Sequence, residues 1–246
     1  MKIVAAIPAR LNSSRLPKKL LREICGKTLI ARTYEATVNS KIFDDVLVIT
    51  NSPEIIAELE SSNIKYIFDD NNYQTGTDRI AGVASKIEAD IIINVQGDEP
   101  FINSNTIKSI LNTFKHDKEN NIKIVSVMTP INDDQELKNP NNVKVFTDES
   151  NNAIYFSRHP IPFKNDLNIS KAYKHVGIYA FRKESLIEFA KLDEGKLESS
   201  EKIEALRLIE NDIKIKMINS NDTFIGIDTE EDIQKAIKIF CEKDNL

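Results

Sequence analysis

The run Ile91-Ile92-Ile93-Asn94-Val95 constrains this chain more than any other stretch. An apolar segment without alternation cannot keep one face in water, so it suits a strand covered on both sides of a parallel sheet. Around it, β-branched runs at 3–7, 46–50, 65–68 and 122–127 alternate with amphipathic stretches at 28–39, 53–61, 77–86 and 103–114. That rhythm predicts right-handed crossovers and an α/β fold with a mostly parallel sheet. Ser52 followed by Pro53 marks one helix start, as an N-cap with proline at the first helical position.

Beyond Met128 the rhythm changes. Stretches 143–147, 153–157 and 175–182 read as strands with no helix between them, which predicts a small antiparallel extension over roughly 130–182. Helices are expected again at 184–191 and 198–210, then a strand at 213–217 and a closing helix at 230–242. No repeat or linker divides the sequence, so a single domain of residues 1–246 is expected.

The chain has 246 residues and a net charge of −5, which offers no broad basic face for nucleic acid. No apolar stretch approaches the roughly 20 residues of a membrane span. Met1-Lys2 leads directly into a core strand rather than a signal peptide, so a cytoplasmic protein is expected. Cys25 and Cys241 are far apart with no metal-type spacing and read as isolated thiols in a reducing compartment.

Against the acidic background, one loop is basic. Pro8-Ala9-Arg10-Leu11-Asn12-Ser13-Ser14-Arg15-Leu16-Pro17-Lys18-Lys19 leaves the first strand, and Lys27 follows Gly26. Ligands of α/β folds collect at the carboxyl ends of strands, and cations there suit a polyanion such as a triphosphate. The loop has no glycine, so it is neither a dinucleotide fingerprint nor a Walker loop, and side chains would have to hold the phosphates. A solvated basic loop is the alternative reading.

The strand at 91–95 ends on Gln96-Gly97-Asp98-Glu99-Pro100. Asp98 at that sheet edge could hold Mg²⁺, a hard cation usually bound by one or two carboxylates plus substrate phosphates, or could cap a turn. Asp228, in Gly226-Ile227-Asp228-Thr229-Glu230, could complete such a site, or Asp228 or Thr229 could serve as a helix N-cap. Gln74-Thr75-Gly76-Thr77-Asp78-Arg79 places a glycine at a helix start, where free amides can meet a polar ligand. His175, Gly177 and Tyr179 alternate on one strand face. Arg158 stands at a strand end beside Pro160 and Pro162, and Glu198, Glu201 and Glu204 form an acidic row of the kind that is usually solvated.

Taken together in this order, IPARLNSSRLPKK, Gly26-Lys27, QTGTDR, NVQGDEP, NPNNVKV, YFSRHPIP, KHVGIY, EKIEALR and GIDTEEDI resemble the 3-deoxy-manno-octulosonate (Kdo) cytidylyltransferases over nearly the whole chain. The resemblance implies a Rossmann-like nucleotide-diphospho-sugar transferase fold, with a mostly parallel central sheet and a small antiparallel extension. It also implies transfer of CMP from CTP to the anomeric hydroxyl of a Kdo-like sugar acid, with release of pyrophosphate, for lipopolysaccharide assembly by a homodimer. By position, Pro8, Ala9, Arg10, Arg15, Lys19, Gln74, Gly76, Thr77, Arg79 and Asp98 fall to the nucleotide. Gln96, His175, Tyr179 and Glu204 fall to the sugar acid. Asp98 and Asp228 fall to Mg²⁺, and Lys19 joins them in the catalytic set.

Three positions depart from the family pattern: Ala205 replaces a common Gln, Gly82 a common Glu, and Thr28 a common Pro. Ala205 removes an amide facing the sugar and is expected to widen that corner. An 8-amino-3,8-dideoxy-manno-octulosonate, or another 2-keto-3-deoxy sugar acid, is therefore the alternative substrate. A sugar-1-phosphate nucleotidyltransferase would want a glycine-rich opening loop. A related glycosyltransferase would want Asp-x-Asp where this chain has Gly97-Asp98-Glu99. A non-catalytic relative would be expected to have lost Asp98, Asp228 or Lys19.

Overall fold

The computed structural model describes residues 1–13, 16–163 and 171–244. These divide into two compact units, one of residues 1–104 and 224–246, the other of residues 105–223.

The first unit starts with strand β1 (Ile3–Pro8), followed by a 3-10 turn at Lys19–Leu21 and the two short strands β2 (Glu23–Ile24) and β3 (Lys27–Thr28). Helix α1 (Leu29–Asn39), strand β4 (Asp45–Thr50), helix α2 (Pro53–Ser61) and strand β5 (Tyr66–Phe68) come next. Helix α3 (Gly76–Val83) and strand β6 (Ile91–Asn94) complete the alternation. The strands lie parallel in the order β6-β1-β4-β5. All of β6 is buried, with Ile91, Ile92 and Ile93 at 0% exposure. At roughly 2 kcal/mol for each buried isoleucine, this strand contributes more than any single cap around it.

The caps agree with the sequence. The Ser52 side chain accepts from the Ile55 amide at the start of α2, with Pro53 inside the first turn. Thr28 accepts from the Ala31 amide at 3.3 Å, so the departure from proline there supplies α1 with a side-chain cap. Thr75 and Asp78 form a reciprocal capping box at α3.

The second unit runs through helix α4 (Ser104–His116), strand β7 (Ile124–Pro130), helix α5 (Asp134–Lys138), and strands β8 (Lys144–Thr147), β9 (Ala153–Ser157) and β10 (Tyr173–Arg182). Helices α6 (Lys183–Phe189), α7 (Lys196–Glu201) and α8 (Ala205–Glu210) lead to strand β11 (Ile215–Asn219). Strand β7 pairs antiparallel with β10 and parallel with β11, while β8 pairs antiparallel with both β9 and β10. The chain then re-enters the first unit and ends in helix α9 (Glu230–Asp244). The α/β class with a mostly parallel arrangement and added antiparallel strands is as expected.

Two expectations need correction, and one helix was not foreseen. The single helix expected at 198–210 is two, because Lys202 takes the left-handed conformation (φ 55°) and ends α7. Helix α5, ahead of the three expected strands, is capped by Asp133 through the Glu136 amide, and no helix falls between β8, β9 and β10 among the described residues. Cys25 and Cys241 are joined in a disulfide with Cα atoms 5.9 Å apart, not isolated. Helix α9 packs back onto the β2–β3 hairpin and brings the two sulfurs together across 216 positions, which no local spacing could signal.

Candidate active site

Because β1 and β6 are parallel neighbours in register, with Ala6 opposite Asn94, their following loops leave from one sheet edge. The loop into α3 arrives at the same place. Pro8, Ala9, Arg10, Lys19, Gly76, Arg79, Gln96 and Asp98 all line one cleft in the first unit. Gly76 suits this approach, since a Cβ there would stand 3.0 Å from Pro8 Cγ and would press on the proline ring. Gln96 Nε2 donates to Asn94 Oδ1 at 3.2 Å, and Asn94 Nδ2 donates to Thr77 Oγ1 at 3.1 Å. The polar residue inside the isoleucine run thus ties the cleft floor to α3.

Lys19 is the centre of charge. Its Nζ donates to Asp98 Oδ2 and, at 2.9 Å, to Asp228 Oδ1. The Ile227 amide donates to the Asp98 carbonyl at 3.0 Å, which fixes Asp228 beside Asp98. Burial lowers the Lys19 pKa, but the two carboxylates outweigh it and hold the ammonium above its ordinary value. Glu99 is pushed up to about 8, first by burial and then by the charges of Asp98 and Asp228, with Lys19 opposing. It is therefore largely neutral at pH 7 and adds little negative charge to the cluster.

Two carboxylates converging on one cation suit a hard divalent ion, and in this structure the Lys19 ammonium lies between them. Among the described residues no group of three or more acidic, histidine or cysteine side chains could hold a metal. Further ligands to such an ion would then have to be phosphate oxygens and water, as is usual for Mg²⁺.

The remaining nucleotide candidates are placed differently. Thr77 is buried at 1% exposure on α3, and Gln74 is exposed just before it. Arg15 lies outside the described residues. Sequence reasoning missed Leu20, Tyr73, Thr75 and Gly97, which also line the cleft. Thr75 and Gly97 lie inside motifs already singled out, and Leu20 and Tyr73 directly adjoin two of them, so the motifs and their boundaries were the available signal.

The sugar candidates other than Gln96 lie in the second unit. The His175 and Tyr179 rings are 5.2 Å apart, with a bulge in β10 between Val176 and Tyr179. Ser126 organises that bulge: its hydroxyl reaches the Ile178 carbonyl at 2.8 Å and lies 3.0 Å from His175 Nε2. Burial pushes the His175 imidazole down to about 3, so it is neutral at pH 7. Burial, then Glu204 and Glu198, raises the Tyr179 phenol well above its usual range. Glu204 immediately precedes α8.

The acidic row is not simply solvated. Glu198 is 4% exposed and accepts two 2.7 Å bonds from Arg207. Glu201 accepts from Ser157 Oγ and the Arg158 amide, both at 2.9 Å, while Arg158 Nε donates to the Glu201 carbonyl at 2.8 Å. The YFSR and EKIEALR segments are thus one lock, which caps the end of α7. Ala205 is 1% exposed, so its methyl borders no open corner and the expected widening is not seen there.

A cytidylyltransferase family model matches residues 4–215. The chain is 45% identical over 239 residues to a 3-deoxy-manno-octulosonate cytidylyltransferase of Christiangramia forsetii, covering 97% of this chain and 96% of that one. It is 46% identical over 237 residues to the enzyme of that name from Flavobacterium johnsoniae, covering 96% and 97%. A solved structure of CMP:2-keto-3-deoxy-manno-octonic acid synthetase complexed with CTP superimposes with a TM-score of 0.90 at 34% identity, covering 99% of this chain and 100% of that one. This chain belongs to the 3-deoxy-manno-octulosonate cytidylyltransferase family.

Proposed function

We propose that this protein couples CMP from CTP to Kdo and releases pyrophosphate, with Mg²⁺ held by Asp98 and Asp228. The observation that carries the reading is the cleft in which Lys19 lies between two carboxylates, with Arg10 and Arg79 in the same walls. In the reaction the anomeric hydroxyl oxygen forms a bond to the α-phosphorus as the α–β phosphoanhydride bond breaks, pyrophosphate leaves with the bonding electron pair, and the hydroxyl proton passes to water. No covalent enzyme intermediate is needed, so catalysis is positioning and charge neutralisation. Bound Mg²⁺ would supply charge neutralisation to the triphosphate.

Lys19 and Arg10 hold triphosphate oxygens in this reading, with Arg15 as a further cation. Pro8, Ala9, Gln74, Gly76, Thr77 and Arg79 surround the nucleotide, and Gln96, His175, Tyr179 and Glu204 contact the sugar acid. A neutral His175 can offer one donor and one acceptor nitrogen to a polyol without importing charge. Lipopolysaccharide assembly and a homodimer belong to the same reading and rest on the family resemblance, and a cytoplasmic location is proposed with them. Among the described residues no helix is long and apolar enough to cross a membrane.

The test is pyrophosphate release with four nucleoside triphosphates, each crossed with Kdo, its 8-amino analogue and sialic acid. The expected result is turnover with CTP and Kdo, with a kcat/KM for CTP at least about tenfold above UTP. Equal use of UTP, or preference for sialic acid, would sink it. Preferential use of the 8-amino sugar would keep the cytidylyl transfer and replace the acceptor.

A further inference from the structure

Tyr73 is the one aromatic side chain among the described residues that line the cleft. Its hydroxyl donates to Asp69, a carboxylate only 8% exposed that also accepts from Asn71 Nδ2 at 3.1 Å. The Arg79 guanidinium lies over the Tyr73 ring, 5.5 Å from its centroid. Arg79 is 5% exposed, and one of its terminal nitrogens donates to Asn51 Oδ1 at 3.2 Å. A guanidinium so far from water needs its charge and its direction supported by neighbours.

The seat for this ring comes from Gly82. A Cβ at that position would stand 2.0 Å from the Tyr73 hydroxyl oxygen and 2.5 Å from Cζ. Gly82 is the next-to-last residue of α3 and is exposed, so the ring lies across the open end of that helix's last turn. Any side chain there would have to displace the ring, and displacement would break the bond to Asp69 and withdraw the surface beneath Arg79.

We infer that Tyr73 is a positioning residue for the nucleotide: locked by Asp69 and seated against Gly82, its ring holds the Arg79 guanidinium in the orientation that receives CTP. The inference rests on the reading of this cleft as the CTP site and adds to it a residue that acts through Arg79. Tyr73 needs no contact with the reacting atoms. Its effect belongs in nucleotide affinity and not in the chemical step or in sugar binding.

Calorimetric titration with CTP, alongside initial-rate kinetics, tests this on the full chain and on Tyr73→Ala, Tyr73→Phe, Gly82→Ala and the Tyr73→Ala/Gly82→Ala double variant. Tyr73→Ala should raise Kd and KM for CTP about tenfold while KM for Kdo and kcat stay within about twofold, and Tyr73→Phe, which keeps the ring, should stay within about threefold. Gly82→Ala should weaken CTP about fivefold or more alone and add nothing once Tyr73 is alanine, because the two changes remove one contact. Fold-changes that multiply in the double variant, or a Tyr73→Ala protein that binds CTP within twofold of the parent, would overturn the inference while leaving the CTP site in place. If Tyr73→Ala does not fold, Gly82→Ala and Tyr73→Phe decide the matter: CTP affinity within twofold of the parent in Gly82→Ala overturns it. A parent chain that binds no CTP would overturn the inference together with the site reading.

Discussion

Lys19 and Asp228 are 209 positions apart in the chain, yet the lysine ammonium donates to the Asp228 carboxylate at 2.9 Å. The contact brings the basic first loop and the last strand-to-helix corner together at Asp98. It also answers the ambiguity over Asp228: its carboxylate faces a cation, and Asp232 accepts bonds from the Asp228 and Thr229 amides at the start of α9. Capping falls to Thr229, whose hydroxyl accepts from the Asp232 amide at 3.2 Å while Asp232 reciprocates, so Asp228 is not needed as the cap.

The first prediction follows from that division of labour. Asp228→Asn should abolish nearly all turnover while thermal stability changes by less than about 1 kcal/mol, because the amides at the helix start keep their acceptor. Asp98→Asn and chelation by EDTA should each abolish turnover as well, with circular dichroism unchanged. Full activity in EDTA, or an active Asp98→Asn enzyme, would remove the metal from the mechanism.

The Cys25–Cys241 bridge gives the second. It closes the β2–β3 hairpin onto α9, and Arg32 strengthens the junction by donating to the Cys25 carbonyl at 2.7 Å while lying 4.6 Å from the centre of the Phe240 ring. Cys25→Ser should lower unfolding stability by about 2–4 kcal/mol, a typical value for loss of a native bridge. The urea midpoint of the oxidised protein should fall to that of the variant on adding dithiothreitol. Thiol titration that finds two free sulfhydryls in the purified protein would count against the bridge.

Much of this arrangement could be read from the residues. The βα rhythm and the isoleucine run foretold the parallel strands, and strand ends foretold where Arg10, Lys19 and Asp98 would gather. What could not be read was long-range and polar. The split between α7 and α8 depends on Arg158 binding the carbonyl at the end of α7, a contact across 43 positions. The burial of Glu198 depends on Arg207, and the Ala205 corner is closed by packing that no spacing rule describes. Lys144 shows the same limit. It is fully buried in β8, yet its ammonium is held by the carbonyls of Asn139, Asn142 and Arg158.

The third prediction concerns acid. With the folded pKa of His175 pushed down to about 3 and an ordinary value near 6.5, the unfolded chain takes up the proton first. The folded state is therefore favoured fully above about pH 6.5 and loses that advantage as pH falls from there toward 3. His175→Gln should flatten this part of the stability-versus-pH curve while the parent declines. In the native protein the His175 ring resonances should show no titration between pH 5 and 8; a midpoint near 6.5 would contradict the buried environment.

The last prediction concerns the acceptor. His175, Tyr179 and Glu204 gather in the second unit, with Ser126 holding the bulge that sets the two rings 5.2 Å apart. If these groups bind the sugar acid in both ground and transition states, His175→Ala should raise KM for the sugar at least about tenfold and leave KM for CTP within about twofold. Ser126→Ala removes the hydroxyl beneath the bulge and should weaken the sugar in the same sense by a smaller factor. Ala205→Gln is the sharper case. Since Ala205 borders no open space, the longer side chain must displace packed neighbours, at a cost of about 1–3 kcal/mol in stability. A gain in Kdo selectivity without that cost would mean the corner opens when the sugar binds, and would restore Ala205 as a determinant of which octulosonate is used.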